Sequence, residues 1–412
     1  MTSKFCINCG QQLDGNDKFC PECGATVEKQ KNGYRVESEP TRLHNTSIAT
    51  SPTNGKKHST KNLKPLLLIP IILFSLAVPL IVVSSLGSIR TPLGTLDYEI
   101  PSMEYPDVEL TIDNSVGFVV ISYDASMDSL FEATIEVRGG IRASIDDAKN
   151  FEYDVVNNKT IISFDSEDDI FSFWSFKSLT HNIFININPN AVVDFVVHSS
   201  TGGVTLDLDD IDNVVMKDVE LSSSTGSVEF HSGDAVNTTI EDINISASTG
   251  RVLFDFDNAI DTKVEKINLS DSTGNVKAHL GEAMDINSAD VVLETSTGSV
   301  TLTFENLIFN EDTTWDVETS TGSITIEFIQ TNILPLNFTS IFNVQTSTGS
   351  IVVDGIISTD LGLEITADTS TGSINLPSGY SYYSTTDYHL KDNQFSFTLL
   401  TSTGSITADI EN

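Results

Sequence analysis

The tripeptide Ser-Thr-Gly recurs nine times in this 412-residue chain, with its glycines at Gly202, Gly226, Gly250, Gly274, Gly298, Gly322, Gly349, Gly372 and Gly404. The first five intervals are 24 residues long and the last three are 27, 23 and 32. A period of this length marks a repeat architecture, whose units bury their apolar faces only by stacking on one another. Counted from each glycine as zero, the offsets −7, −5, +2, +4 and +6 hold Val291, Leu293, Val300, Leu302 and Phe304 in one unit. In the next they hold Trp315, Val317, Ile324, Ile326 and Phe328. Alternation by two is the strand period, so each unit carries one strand before the phrase and one after it, each with one buried face.

The inward phase runs through −3 and −1 but resumes at +2, so the backbone must turn at the glycine, which reaches positive φ without steric cost. On this reading Thr295 and Thr297 point inward while Ser296 and Ser299 face out. Threonine hydroxyls of successive units would then form ladders, at a stacking distance of about 4.8 Å. Recurrence of the same residue at the same place favours parallel, in-register stacking over a row of independent hairpins, which would tolerate drift. The expected fold class is mainly β, a β-solenoid of stacked two-strand repeats of about 24 residues. The longer intervals read as insertions, and "GYSYYSTTDYHLKDNQ", Gly379 to Gln394, as a cover for the open end.

An eroded unit precedes the clear ones in "LTIDNSVGFVVI", where Leu110, Ile112, Val119 and Ile121 take the same offsets around Gly117. From about residue 97 to 412 the chain resembles the putative-adhesin family of unknown function found in prokaryotic envelope proteins. Members of that family repeat a short strand, a glycine corner and a second strand, with a strand-Pro-strand entry like Ile185 to Val197. The resemblance implies a β architecture displayed at the cell surface.

All four cysteines lie in "KFCINCGQQLDGNDKFCPECG", as Cys6, Cys9, Cys20 and Cys23. Two Cys-x-x-Cys pairs read as knuckles that bring four thiolates to a tetrahedral, structural Zn²⁺. Two disulfides are the alternative; zinc is favoured because so short a segment has almost no core and small zinc modules fold on their metal. The segment resembles the zinc-ribbon modules at the start of many prokaryotic membrane proteins.

Residues 28–63 are polar, without apolar periodicity, and read as a flexible basic linker. From Pro65 to Ile89 no residue is charged. As a helix this run would span about 37 Å, enough to cross a hydrocarbon core of about 30 Å. Pro70 and Pro79 would kink it without forbidding it. A buried soluble helix or a cleaved signal peptide fits less well, because nothing else in the chain is helical enough to bury the run and a folded module precedes it. Lys56, Lys57, Lys61 and Lys64 precede the span and Arg90 follows it, so the N-terminus is expected in the cytoplasm and the β region outside. The expected organisation is a zinc ribbon at 1–27, a linker at 28–63, a transmembrane helix at 64–89, an irregular β region with degenerate repeats at 90–198 and the regular repeats at 199–412.

Residues 1–90 hold 11 Lys and Arg against 6 Asp and Glu, whereas residues 91–412 hold 11 against 52, giving +5 and −41 within the total of −36. So acidic a region repels nucleic acid and other polyanions. "DLDDIDN", Asp207 to Asn213, and the set Asp255, Asp257 and Asp261 carry enough carboxylates to hold Ca²⁺, although neither follows a complete calcium-loop pattern. Solvated acidic turns that keep a long β surface soluble are the plainer reading. Histidines are few, at His181, His198, His231, His279 and His389 in this region, and no nucleophile elbow, catalytic triad spacing or phosphate loop is present, so no enzyme is expected. Two roles remain: a membrane-anchored surface module that binds a cell-surface or envelope ligand, or a transmembrane sensor whose zinc ribbon engages a cytoplasmic protein.

Overall fold

The computed structural model describes residues 4–5 and 12–13, and residues 90–411 apart from 102–106, 141–142, 149, 158, 167–177, 209–210, 234, 259–260, 287–289 and 333–336. Residues 1–67 and 68–412 form separate compact units. In the first, Lys4–Phe5 and Gln12–Leu13 pair antiparallel and flank the first cysteine pair in sequence. The run expected to cross a membrane, 64–89, lies outside the described residues. Among those described, no helix is long and apolar enough to cross a membrane.

The second unit is built almost wholly from strands: most repeats contribute one strand before the corner and one after, whereas around Gly250 and Gly274 one strand runs through the corner, as Thr239–Asn258 and Lys263–Glu282. Strands before the corners pair parallel with one another, and so do the strands after them. Leu293 faces Val317, Glu294 faces Glu318 and Thr295 faces Thr319 before the corner, while Val300 faces Ile324 and Leu302 faces Ile326 after it. The inward offsets are buried as the alternation requires: Val291, Leu293, Val300, Leu302, Phe304, Trp315, Val317, Ile324 and Ile326 are at most 1% exposed. Each such side chain contributes about 1.5–3 kcal/mol of burial. The eroded unit around Gly117 joins the same ladders through Val108 to Asn114 and Val119 to Ser122.

The corners differ from expectation in one respect and explain the repeated phrase in another. Glycine φ there runs from +122° at Gly117 to +159° at Gly372. A Cβ on Gly298 would stand 1.6 Å from the carbonyl oxygen of Gly274, and on Gly322 it would stand 1.7 Å from that of Gly298. Each corner glycine therefore lets the carbonyl of its neighbour approach its Cα, where no N–H is available to bond it. The residue at offset −3 supplies the donor instead. Thr295 Oγ1 donates to Gly274 O at 3.2 Å, Thr319 to Gly298 at 3.1 Å, Thr346 to Gly322 at 3.1 Å and Ser223 to Gly202 at 2.7 Å. The hydroxyls thus do not bond one another in a ladder; each caps a carbonyl of the adjoining unit, as buried polar groups require. Thr297, expected inward, is exposed, because the chain begins to turn after −3 and so −3 is the last inward position.

Spatial order departs from chain order at both ends. Phe338–Thr348 pairs with Asn393–Thr403, and that strand pairs on its other side with Leu361–Thr371, so the last repeat lies between the two before it. Accordingly Thr401 donates to Gly349 O and Thr369 to Gly404 O, both at 3.2 Å. At the other end, Asp107–Asn114 lies between Lys159–Asp165 and Val192–Ser199. The outermost strands are then covered by antiparallel partners. Tyr382–Ser384, within the expected cover, pairs with Leu361–Thr371. Phe151–Val156 pairs with Lys159–Asp165, and Ser129–Gly139 pairs with Leu179–Ile187. These strands occupy edges that would otherwise expose unpaired backbone groups.

Candidate functional site

In-register pairing converts each outward offset into a row of side chains that runs from unit to unit. Two rows bring chemistry together. The first lies just before the corners, where a groove of about 350 Å³ crosses several units. Ser246, Ser270, Glu294, Glu318 and Gln345 form one side, Ser248, Ser272, Ser296, Ser320 and Ser347 form the other, and Ala247, Asp271, Thr295 and Thr319 form its floor.

Asp271 is the exception in that floor. It stands at offset −3, where seven other units place a serine or threonine whose hydroxyl donates to a neighbouring glycine carbonyl. Its residue is 4% exposed, Oδ1 accepts the Thr273 N–H at 2.9 Å, and Oδ2 is buried without a hydrogen-bond partner. Burial raises its pKa above the ordinary aspartate value of 3.8. Ala247, at the same offset one unit earlier, offers no donor at all.

The second row is offset +5, after the corner. Asp207 faces His231, His231 faces Asp255 and Asp255 faces His279, so carboxylates and imidazoles alternate across four units. His231 Nε2 lies 3.3 Å from Glu229 Oε2, and His231 Nδ1 lies 3.7 Å from Asp255 Oδ2. Arg251 Nη2 donates to Glu229 Oε1 at 2.5 Å. Hydrogen bonds from His231 and then Arg251 hold the Glu229 carboxyl down to about 2, and the bond to Glu229 raises the His231 pKa. One unit on, ligating atoms of Asp255, Asp257 and His279 all lie within 4.8 Å of one another, with His279 Nε2 3.8 Å from Asp257 Oδ1.

Of the carboxylates expected to hold calcium, Asp255 and Asp257 converge, but Asp261 does not join them. It occupies a turn with φ +57°, and His279 from the adjoining unit takes its place. No local motif reveals His279; only alignment of the units by their glycines puts it beside Asp255. In the Asp207 to Asn213 run, Asp212 Oδ1 accepts the Val236 N–H at 2.9 Å and Asn213 Oδ1 accepts from Asn237 Nδ2 at 2.5 Å. Those two residues brace the neighbouring turn. At offset −6, Asn268 Nδ2 donates to Asn244 Oδ1 at 3.2 Å, so this pair forms an amide step along its row. Cys6, Cys9, Cys20 and Cys23 also lie outside them.

Residues 5–27 match the model of the zinc-ribbon domain family. A search of curated proteins finds no significant relative. Among solved structures the chain is similar to a putative cell adhesion protein from Clostridium sporogenes, with TM-score 0.22 and 13% identity over 78% of this chain and 100% of that one. It is similar also to a putative adhesin from Bacteroides fragilis, with TM-score 0.31 and 12% identity over 77% of this chain and 96% of the other. A third is a putative lipid binding protein from Parabacteroides distasonis, with TM-score 0.32 and 13% identity over 77% and 97%. TM-scores of this size carry neither a fold nor a ligand across. The zinc ribbon is the segment whose family is identified.

Proposed function

We propose that this chain is a membrane-anchored surface protein that displays an acidic β-solenoid for binding, without catalytic activity of its own. The observation that carries the reading is the register: parallel pairing residue for residue repeats each outward side chain along a row, which suits a ligand or surface contacted at several equivalent points. Parallel ladders of the segments before the corners and of those after them support the solenoid reading. The charge of −41 on residues 91–412 excludes polyanionic ligands and directs the surface toward neutral or cationic ones. Anchoring rests on the charge-free run Pro65 to Ile89, with its preceding lysines placing the N-terminus in the cytoplasm. There the ribbon holds one structural Zn²⁺ through Cys6, Cys9, Cys20 and Cys23, in a compartment that keeps thiols reduced.

Protease added to intact cells that express the full chain tests the topology and the role together. Removal of the acidic unit with the ribbon spared, accompanied by loss of attachment to a surface, is the expected result. Digestion of the ribbon with the acidic unit protected would refute the arrangement, and undiminished attachment after shaving would refute the binding role.

A further inference from the structure

We propose that Asp255, Asp257 and His279 form an open site for a divalent transition metal on the outer face of the strands that follow the corners. Asp255 and Asp257 sit two residues apart on one extended strand and so project to the same side. His279 stands opposite Asp255 on the adjoining strand, in direct register. Three potential ligand atoms, one imidazole nitrogen and two carboxylate oxygens, thus gather within 4.8 Å of one another from two units. Metal–ligand bonds of about 2.0–2.2 Å bring donors to about 3–3.5 Å from one another. The rotations needed are small, and the exposed Asp257 and half-buried Asp255 and His279 leave room for them.

The donor set selects the metal class. Calcium takes oxygen ligands alone. An imidazole with two carboxylates suits Zn²⁺, Ni²⁺, Co²⁺ or Mn²⁺. Contrast with the preceding unit supports the assignment independently. There His231 is already engaged by Glu229, which Arg251 also binds, so the charges close on themselves. The position equivalent to Glu229 is Leu253 in the unit of Asp255 and Lys277 in that of His279, so no third carboxylate occupies that place beside His279. His231 also lies 3.7 Å from Asp255 on its other side but is held by Glu229, so it is not one of the three ligands. Three protein ligands leave coordination positions for water or for a donor from a bound partner. A metal held here ties two units together and makes contact with that face metal-dependent. The site stands on its geometry and does not require the binding role proposed above.

The test uses the detergent-solubilised full chain, with Zn²⁺ and Co²⁺ as the probes. After equilibration with Zn²⁺ and removal of excess metal, wild type is expected to retain about two equivalents, one in the four-thiolate ribbon and one here. His279→Ala and Asp255→Asn are expected to retain about one, with the second equivalent weakened at least about tenfold. With Co²⁺, the thiolate-to-metal charge-transfer bands of the ribbon should be the same in all three proteins, while ligand-field intensity from the second ion is lost in the variants. Circular dichroism confirms that each variant is folded, and His389→Ala, a remote exposed histidine, serves as control. Equal metal content in wild type and His279→Ala would overturn the proposal, as would an equal loss in His389→Ala.

Discussion

Replacing Asp271 with threonine should stabilise the protein at neutral pH. At this offset seven other hydroxyls donate to a neighbouring glycine carbonyl at 2.7–3.2 Å. The carbonyl of Gly250 and Oδ2 of Asp271 face the same point above Gly274: a Cβ there would lie 1.8 Å from the first and 2.4 Å from the second. Two acceptors oppose each other unless the carboxyl carries a proton. An ionised Asp271 therefore forfeits a hydrogen bond worth about 1 kcal/mol and leaves a buried oxygen without a donor, for a cost of about 1–3 kcal/mol. The groove above is open to solvent, which screens part of this, so about 1–2 kcal/mol is the expected gain for Asp271→Thr at pH 7.5. Burial raises the aspartate pKa in the folded state above 3.8, so the folded protein holds this proton more tightly than the unfolded chain. Stability from Asp271 is then fully present below the ordinary value of 3.8 and is lost as pH rises through the raised folded value. The advantage of threonine should accordingly be small near pH 3.5 and complete at neutral pH, because the protonated acid donates as threonine does. Urea denaturation of both proteins at the two pH values reads the difference directly, and effects of the remaining carboxylates cancel in it. Asp271→Asn should behave like threonine, as Asn114 Nδ2 already donates to His181 O at 3.0 Å. A threonine variant no more stable than wild type at pH 7.5, or an advantage that does not change with pH, would refute the reasoning.

Gly298→Ala should cost about 2–5 kcal/mol, combining strain at φ +148° with a Cβ placed 1.6 Å from the Gly274 carbonyl. Ser296→Ala, in the same phrase but exposed, should stay within about 0.5 kcal/mol, and comparable losses for the two in thermal denaturation would show that the glycine is not the structural element. Ending the chain at Asp392 removes Asn393–Thr403 and Ile406–Glu411, which lie between the last two earlier units. Limited proteolysis should then cleave within residues 358–392, while the segment before Gly322 remains protected; protection of 358–392 in the shortened chain would contradict the interleaved order.

Much of the fold is legible in the spacing because alternation by two and a recurrent glycine are local signals. The buried faces around Gly298 and Gly322 follow from them directly. What the serine and threonine hydroxyls do is less legible, since their acceptors lie 21 to 24 residues away in the regular units and are visible only once units are paired. Thr297 illustrates the limit: alternation places it inward, but the turn has already begun and it is exposed. The metal-ligand group is similarly divided, with Asp255 and Asp257 adjacent in sequence and His279 reached only through the register. Aligned by their glycines, Asp207, His231, Asp255 and His279 fall in one row, which is the signal that a search for contiguous motifs overlooks.

Interleaving is invisible in the repeat pattern for a physical reason: units with the same inward offsets and the same corner are nearly interchangeable as neighbours, so the pattern specifies stacking without specifying order. Length of the connection breaks that degeneracy. The interval of 32 residues before Gly404 contains Tyr382–Ser384, which covers the outer edge of Leu361–Thr371 before the chain returns on the other side of that strand. A unit at the end of a regular stack is paired along one side only and is the first to fray. Here the terminal segment Ile406–Glu411 pairs with Ile351–Ile357 on one side and with Ile374–Asn375 on the other, so the last strand is held by both neighbours for part of its length. The outermost unit is, in turn, tethered by chain at both of its ends. Loss of either unit must break pairing that involves the other, which couples the end of the repeat into one cooperative element. The cost lies in folding, because a unit that enters between two others depends on contacts remote in sequence and forms later than a simple extension of the stack.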